Sequence, residues 1–476
     1  MKKLRLFLLL TLAVVLCPKI SKAQMQSIIY ASTERHFIDE LSIGVRPIKV
    51  LSIERMHSIV TLGHLYDPGH PIFHLLNDES SVFYNVPDPY ASVFLLTKDG
   101  TTTVKKFVMN DYKITDFDID STEEFIYFCG KHVSTQKNFV SWCSVYDFIN
   151  NPSSITLTIH IIPTINGVAE LSKLKTYINP ADSETYIAMI ARNDTVNYKN
   201  FFINMNLYGQ YEYFMTDRYH LLDVVATANK IGVLGMTHFN DFEIFSHDKQ
   251  NIDNYKGANF FVGNLHDNYI DPRVHFTTAA YKDDHVVVEF ARYKPTLDVG
   301  FSIVNLNSLQ NLTSQQVIIN QTPIKLLGAK FNEKDGRLYS LMSKGNDAHS
   351  DFILETYPYT TYAYSAEATI PYNNIFNCNL LSNLTLYNNN QEYIVMGKSL
   401  NMDFSQDYVF SDRIYWFDKK INTSEKSCHY LDRYHINIIP PIHPKYISYS
   451  KKGEYSSELG KITLTILSGN YIIKCQ

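Results

Sequence analysis

The chain has 476 residues, is rich in aromatic side chains, with 34 Tyr and 28 Phe, and carries a formal net charge of −5 at neutral pH. It contains no cluster of lysines and arginines of the kind that replaces counterions on a phosphate backbone. We therefore expect no nucleic acid among its partners.

Residues 1–23 have the features of a secretory signal peptide. Basic residues precede an apolar run at 6–17, and Ser21-Lys22-Ala23 supplies the small residues of a cleavage site. The apolar run is shorter than the ~20 residues that cross a bilayer. We predict an exported protein, either periplasmic, associated with the outer membrane or secreted, with no transmembrane segment in its mature chain.

Cys17 leaves a second reading of this segment open, because a cysteine that ends an apolar run can be a lipid-attachment site. Leu16 precedes it, whereas such sites carry a small residue there. In either case, removing the segment takes away five basic residues and no acidic one, so the mature chain has a net charge of about −10.

Residues 24–476 contain no Pro/Gly/Ser-rich linker and no stretch with sustained helical periodicity. Short apolar runs rich in Tyr, Phe and Val alternate instead with Asn- and Asp-rich turns, which is typical of strands. We expect one all-β domain over residues 24–476.

One repeated unit explains this pattern, and residues 114–148 show it best. The segment reads as an alternating strand, a polar turn at 121–124, an aromatic strand and a third strand after a polar loop. The second strand recurs along the chain at 124–130, 185–191, 230–236, 285–291, 337–343 and 392–398, with a weaker copy at 57–63.

The copies lie about 54 residues apart, which suits a four-stranded blade with long loops better than a helical repeat. A blade cannot bury its own faces, so we predict a closed β-propeller of seven antiparallel blades, with six as the alternative. Closure usually pairs both chain ends in one blade. Residues 461–475 are the expected C-terminal contribution, as a hairpin that turns at Ser468-Gly469-Asn470.

From residue 48 onwards this pattern resembles that of secreted bacterial β-propeller proteins. The chain has no repeated Trp-Asp ending like the WD40 family, no Gly-Gly pair like kelch repeats and no Ser-x-Asp-x-Gly-x-x-Trp box like sialidases. The resemblance implies an exported propeller but no particular activity.

Cys129 and Cys143 fall in successive strands of the best-defined copy. A register in which the paired residue numbers sum to 272 would place them opposite each other, at a separation that a disulfide can span. Because an exported chain meets oxidising conditions, we predict this bridge, with two buried thiols as the alternative.

Two clusters invite a metal interpretation. His64, His70 and His74 lie near Asp67, but Asp67-Pro68-Gly69 is a turn signal and nothing forces the rings to converge. Asp116, Asp118 and Asp120 alternate along a strand, which predicts a solvated face rather than a calcium loop. We expect neither a metal site nor a cofactor.

Two classes of function fit these observations. The first is a monomeric binding or scaffold propeller whose loops and Tyr-rich surface recognise a glycan, a peptide or a cell-envelope protein. The alternative is a propeller-type carbohydrate-active enzyme, a glycoside hydrolase or polysaccharide lyase with carboxylates or His and Tyr gathered at the central channel. No catalytic motif is legible, which favours binding, and catalytic residues cannot be assigned.

Overall fold

The computed structural model describes part of the chain, and side chains only within residues 48–309. The described ranges are 33–38, 45–65, 89–98, 103–151, 155, 157–193, 199–217, 219–237, 242–260, 275–280, 283–292, 297–319, 324–332, 337–344, 351–358, 366–370, 378–387, 392–402, 408–420, 433–435, 451–454, 456–460 and 464–475. The predicted signal peptide and Cys17 lie outside them.

The described strands form successive antiparallel groups of four, which we number as blades in chain order. Blade 1 contains β2 (Val45–Ile53), β3 (Ser58–Leu65), β4 (Ala91–Lys98) and β5 (Thr103–Asn110). Blade 2 contains β6 (Tyr112–Ile119), β7 (Phe125–His132), β8 (Asn138–Ser144) and β9 (Leu157–Ile161). Blade 3 contains β10 (Glu170–Ile178), β11 (Thr185–Arg192), β12 (Asn200–Asn206) and β13 (Gln210–Thr216). Blade 4 contains β14 (Tyr219–Ala226), β15 (Lys230–Thr237), β16 (Phe242–Asp248) and β17 (Tyr255–Phe260).

The second half of the chain continues the same order. Blade 5 contains β18 (His275–Ala280), β19 (His285–Arg292), β20 (Leu297–Asn305) and β21 (Gln310–Ile319). Blade 6 contains β22 (Ile324–Asn332), β23 (Arg337–Lys344), β24 (Asp351–Pro358) and β25 (Ala366–Ile370). Blade 7 contains β26 (Cys378–Tyr387), β27 (Glu392–Met402), β28 (Tyr408–Lys420) and, from the N-terminal part of the chain, β1 (Thr33–Ile38).

The first strand of each blade, here called its inner strand, contacts the inner strand of the next blade. The inner strand of blade 7 in turn contacts that of blade 1, so the inner strands surround a central axis. This is the arrangement of a β-propeller. The described residues hold seven such groups, in agreement with the predicted seven blades, although the count for the whole chain stays a prediction.

Each second strand is where the repeat predicted it. The copies at 57–63, 124–130, 185–191, 230–236, 285–291, 337–343 and 392–398 overlap β3, β7, β11, β15, β19, β23 and β27. These strands are rich in β-branched and aromatic residues, and those with described side chains are largely buried on both faces because a blade stands between two neighbours.

Apolar side chains fill the spaces between blades. Phe94, Phe117 and Phe128 pack edge-to-face or tilted between blades 1 and 2, with ring centroids 5.7–6.1 Å apart. Further apolar clusters lie between blades 2 and 3, 3 and 4, and 4 and 5. Burial of these faces is what makes a ring more stable than isolated blades.

Helix is scarce among the described residues. One α-helix, α1 (Val145–Asn150), follows β8. Ser144 is its N-cap, and the Ser144 side chain accepts a hydrogen bond from the backbone N–H of Asp147. Two single-turn 3-10 helices lie at Glu54–Met56 and Pro163–Ile165. Within the described ranges, no helix has the length and apolarity that crossing a membrane requires.

Both chain ends meet at blade 7, as propeller closure predicted, but the predicted C-terminal hairpin is wrong. β32 (Leu464–Cys475) is one continuous strand. Its first seven residues pair with β5 of blade 1 and its last five with β1 of blade 7, so Ser468-Gly469-Asn470 extends the strand instead of reversing it.

Three shorter C-terminal strands also lie on outer edges of blades. β29 (Arg433–His435) pairs with β21 of blade 5, β30 (Lys451–Glu454) with β13 of blade 3 and β31 (Ser456–Gly460) with β9 of blade 2. An unpaired outer strand exposes N–H and C=O groups that invite aggregation. β29, β30 and β31 therefore cover the outer edges of blades 5, 3 and 2. We call these three strands and β32 the C-terminal belt.

The predicted Cys129–Cys143 disulfide is not formed, and both cysteines are free thiols. In the β7–β8 hairpin Cys129 pairs with Val140 and Cys143 with Ile126, a register sum of 269 instead of 272. The odd offset places the two sulfurs on opposite faces of the sheet.

The turn sets this register. The loop closes between the His132 N–H and the Lys137 carbonyl, and Ser134 donates its backbone N–H to Asp111 at 2.9 Å. Burial raises the pKa of both thiols to about 12, so they are protonated at neutral pH and fill space in two different interfaces between blades.

Candidate functional site

The inner strands of blades 1, 2, 3, 4 and 6 carry a β-bulge at corresponding positions. In blades 1 to 4 the residue after the bulge is charged, namely Lys49, Asp116, Lys173 and Asp223. We call these four residues the bulge charges. Because inner strands surround the axis, the bulge charges follow one another around it in the order basic, acidic, basic, acidic.

Gly130 explains how one bulge is accommodated. It pairs with Ile114 at the point where the register of β6 shifts, and a Cβ on Gly130 would lie 2.8 Å from the Ile114 Cα. The close approach of the two backbones therefore requires glycine here.

Asp116 connects three blades. One carboxylate oxygen accepts hydrogen bonds from Lys49 Nζ at 2.7 Å and from the Phe117 N–H at 2.9 Å. The other accepts from the Leu174 N–H of β10 at 2.8 Å. Lys49 belongs to blade 1 and Leu174 to blade 3, so this one carboxylate holds both neighbouring inner strands.

Asp118 repeats the arrangement two residues further along β6. One oxygen accepts from Lys175 Nζ at 3.0 Å, and the other from the N–H and the hydroxyl of Thr176, both at 2.9 Å. Burial opposes ionisation, but Lys175, Lys49 and the Thr176 N–H together lower the pKa of Asp118. It is therefore an anion that accepts from fixed donors.

The prediction of a solvated face for Asp116, Asp118 and Asp120 is wrong, since their exposed fractions are 4%, 4% and 5%. Asp120 caps the β6–β7 turn by accepting from the N–H groups of Glu124 and Phe125. Asp116 and Asp118 do share a face of the strand, as alternation predicted, but that face meets the edge of β10. The sequence could not show the donors, because Lys49 lies 67 residues before Asp116 and the donors on β10 lie 57 or 58 residues further on.

The other bulge charges differ in their partners. Burial acts to lower the pKa of Lys49, but Asp116, Asp118 and Asp223 together raise it. Asp223 accepts from the Val224 N–H at 2.9 Å and from the Thr278 hydroxyl of blade 5 at 2.6 Å. Lys173, half-buried in β10, forms no hydrogen bond or ion pair with any described residue.

A second feature lies at the edge of blade 3 from which its hairpins project. Tyr208 stands at the tip of the β12–β13 turn and is 71% exposed. Interaction with the carboxylate of Glu184, in the β10–β11 turn, raises the pKa of Tyr208. Beside it, Tyr186 donates to Asp182 at 3.0 Å and packs against Tyr177, with ring centroids 5.8 Å apart. We call Tyr186 and Tyr208 with their two carboxylate partners the tyrosine rim.

The histidine cluster is described only at His64, which is buried and lies 2.6 Å from the carbonyl oxygen of Ile114 through Nε2. Asp67, His70 and His74 fall outside the described residues. Within the described part of the chain, no group of three or more His, Cys, Asp or Glu side chains could hold a metal ion.

The chain has only low similarity to known proteins. No family model matches the chain, and no curated protein matches it. Among solved structures, the NanB sialidase from Streptococcus pneumoniae is 7% identical, with a TM-score of 0.37 over 85% of this chain and 97% of that one. A subtype N11 neuraminidase-like protein of A/flat-faced bat/Peru/033/2010 is 11% identical, with a TM-score of 0.38 over 80% and 90%.

Prolyl oligopeptidase B from Galerina marginata is 6% identical, with a TM-score of 0.37 over 67% of this chain and 49% of that one. The chain thus spans about half the length of this oligopeptidase. These TM-scores are too low to support the fold. The β-propeller assignment therefore depends on the strand pairing.

Proposed function

We propose that the protein is an exported binding propeller that recognises a ligand of the cell envelope or its surroundings, with the tyrosine rim as the contact surface. A glycan is the ligand we favour, and a peptide or a cell-envelope protein would use the same surface. The observation that carries the proposal is that Tyr208 is 71% exposed beside Tyr186, whose hydroxyl donates to Asp182 at 3.0 Å.

The exposed ring of Tyr208 offers a flat face on which a ligand can stack. Tyr186 is already held by Asp182 and so loses little entropy when a ligand binds. The apolar face of a sugar ring can lie against Tyr208, while the oxygens of Asp182 and Glu184 can accept hydrogen bonds from sugar hydroxyls. These features suit binding and involve no bond-breaking step.

The carboxylates of inner strand β6 favour binding over the alternative, a glycoside hydrolase or polysaccharide lyase. A general acid needs a raised pKa, and a nucleophile or base needs a free oxygen lone pair directed at the substrate. Asp116 and Asp118 instead accept from backbone N–H groups and lysines at both oxygens. Among the described side chains, these two carboxylates join neighbouring blades.

The test is binding of the mature chain, residues 24–476, to an array of bacterial and host glycans. The wild-type protein should bind a defined subset, and Tyr208→Ala should weaken that binding at least tenfold. Tyr146→Ala is the matched control, because Tyr146 is also exposed, at 61%, but lies on α1 of blade 2.

Equal binding by wild type and Tyr208→Ala would contradict the role of the tyrosine rim. Absence of any glycan binding would contradict the choice of ligand. Release of shortened products from an array glycan would support the enzymatic alternative instead.

A further inference from the structure

The connection between blades 2 and 3 contains an Asn-Gly pair, Asn166-Gly167, which lies between the 3-10 turn Pro163–Ile165 and β10. It is the single Asn-Gly pair in the sequence. The backbone nitrogen that follows an asparagine can attack the side-chain amide of that asparagine. Glycine hinders this attack least, because it has no Cβ. The pair is therefore a candidate for a covalent change that needs no enzyme.

The backbone nitrogen of Gly167 is free to act as the nucleophile. Gly167 is exposed, has a positive φ of 70°, and a Cβ placed on it would meet no atom within 4 Å. Its N–H donates to no described residue, whereas the N–H groups of Asn166 and Val168 donate to the carbonyls of Pro163 and Ile165. No hydrogen bond within the described chain therefore competes for the Gly167 nitrogen.

The side-chain amide of Asn166 is prepared for attack at its carbonyl carbon. Its Oδ1 accepts a hydrogen bond from the backbone N–H of Asn138 at 2.8 Å. Such a donor stabilises the negative charge that develops on the oxygen when a nucleophile adds to Cγ. The Nδ2 group of Asn166 donates to no described residue, so no contact in the described chain retains it as a leaving group.

The donor, Asn138, is held in place. It is 1% exposed, and its side chain donates to the Ala169 carbonyl at 2.7 Å and accepts from the Leu171 N–H at 3.1 Å. Asn138 begins β8 of blade 2, and Leu171 lies in β10 of blade 3. The same residue therefore both polarises the Asn166 amide and joins the two blades.

We infer that Asn166 is a site of spontaneous deamidation. A bond forms between Gly167 N and Asn166 Cγ, the Cγ–Nδ2 bond breaks, and ammonia leaves with the proton of the Gly167 N–H. Water then opens the resulting succinimide at one of its two carbonyls, which gives aspartate or isoaspartate. The inference is independent of the tyrosine rim, because it depends on different residues and a different chemistry.

The isoaspartate product changes the connection between the blades. It routes the backbone through the former side chain and adds one carbon to it, so the acceptor of the Asn138 N–H is displaced. Chains that contain isoaspartate should therefore melt at a lower temperature. Asn166→Asp is the matched control, since it keeps the normal backbone and an oxygen acceptor, and it should melt as the fresh wild-type protein does.

Peptide mapping by mass spectrometry tests the inference on the folded mature chain after incubation at mildly alkaline pH, with fragmentation that distinguishes isoaspartate from aspartate. Asn166 should be converted to both. Gly167→Ala, checked for an unchanged circular dichroism spectrum, should slow the conversion about tenfold or more, because its Cβ hinders the approach of the nitrogen.

Asn206 is an internal control in the same samples. Its Oδ1 also accepts backbone N–H groups, those of Tyr208 and Gln210 at 3.0 Å, but Leu207 follows it. It should stay intact while Asn166 is converted. The inference is overturned if Asn166 lasts as long as Asn206, or if Gly167→Ala is converted as fast as wild type. Isoaspartate-containing chains that melt with the fresh protein would contradict the effect on the blades.

Discussion

At the residue scale, Asp118 shows how a charge can hold a propeller together. Asp118 accepts a hydrogen bond from the N–H of Thr176 at the inner edge of β10. No further described strand lies at that edge to accept this N–H. Asp118 also balances Lys175, and both oxygens are buried. Removing it would leave a buried donor and a partly buried cation without their acceptor.

We therefore predict that Asp118→Ala lowers the free energy of unfolding by about 3–5 kcal/mol, the usual cost of removing one partner from a buried pair. Urea denaturation of the mature chain measures this. Asp217→Ala is the control, because Asp217 is exposed, and it should change stability by less than about 0.5 kcal/mol. Equal midpoints for the two variants would show that Asp118 does not join the blades.

His247 makes a different contribution, through its neutral form. The ring lies among Phe202, Phe214 and Tyr255, and Nδ1 is 2.9 Å from the Ile252 carbonyl oxygen. Burial lowers the pKa of His247 from 6.5 to about 4. The unfolded chain therefore binds a proton at a higher pH than the folded protein does.

It follows that the stability due to neutral His247 is complete above pH 6.5 and is lost as the pH falls from 6.5 to about 4. The shift corresponds to roughly 3 kcal/mol. His247→Phe should flatten the fall in melting temperature over this window, while His57→Asn, at an exposed position, should keep the wild-type slope. An unchanged slope in His247→Phe would refute this account.

At the scale of elements, the C-terminal belt makes ring closure depend on the last twelve described residues. Residues 464–470 of β32 pair with β5 and residues 471–475 pair with β1, so β32 joins blades 1 and 7 into one nine-stranded sheet. Without it, β1 and β5 would both expose unpaired edges.

We predict that a chain ending at residue 463 melts at a lower temperature and aggregates, because those edges can pair between molecules. A synthetic peptide of residues 464–475 should restore the melting temperature when added to the truncated chain, and a scrambled peptide should not. Scanning fluorimetry and light scattering measure both effects. A truncated chain as stable as the full-length protein would contradict the role given to β32.

The sequence predicted some of these elements and not others for physical reasons. The second strands stand out because they lie between two neighbouring blades and need apolar residues on both faces. β29, β30 and β31 have only three to five residues, too few for a recognisable pattern. The β7–β8 register depends on a turn fixed by Asp111, which precedes that hairpin by a whole strand.

The same limit applied to the site. Charged residues on strands normally face water, and nothing local distinguishes Asp116 and Asp118 from such residues. Their donors outside β6 come from blades 1 and 3, so only the packing of inner strands identifies these two carboxylates. The abundance of Tyr predicted a Tyr-rich binding surface, but it did not predict which tyrosines form the tyrosine rim.

At the scale of the whole molecule, the account rests on a closed ring in which both chain ends share one blade. β1 lies between β28 and β32, and His36 is directly opposite Ile472 in the antiparallel register. Residues opposed in this way have Cα atoms about 4.5–5.5 Å apart, which a disulfide can span. A ring that is open at blade 7 would separate these two positions.

The most direct test is to oxidise the folded variant His36→Cys/Ile472→Cys and map its disulfides by mass spectrometry, which distinguishes the new pair from the native cysteines. We predict an intramolecular 36–472 bond in the monomer. The control His36→Cys/Ile473→Cys should form little of it, because Ile473 is opposite Arg35 and belongs to the other face of the sheet. Free thiols at 36 and 472 in the folded protein, or bonds between them only across two molecules, would contradict closure of the ring.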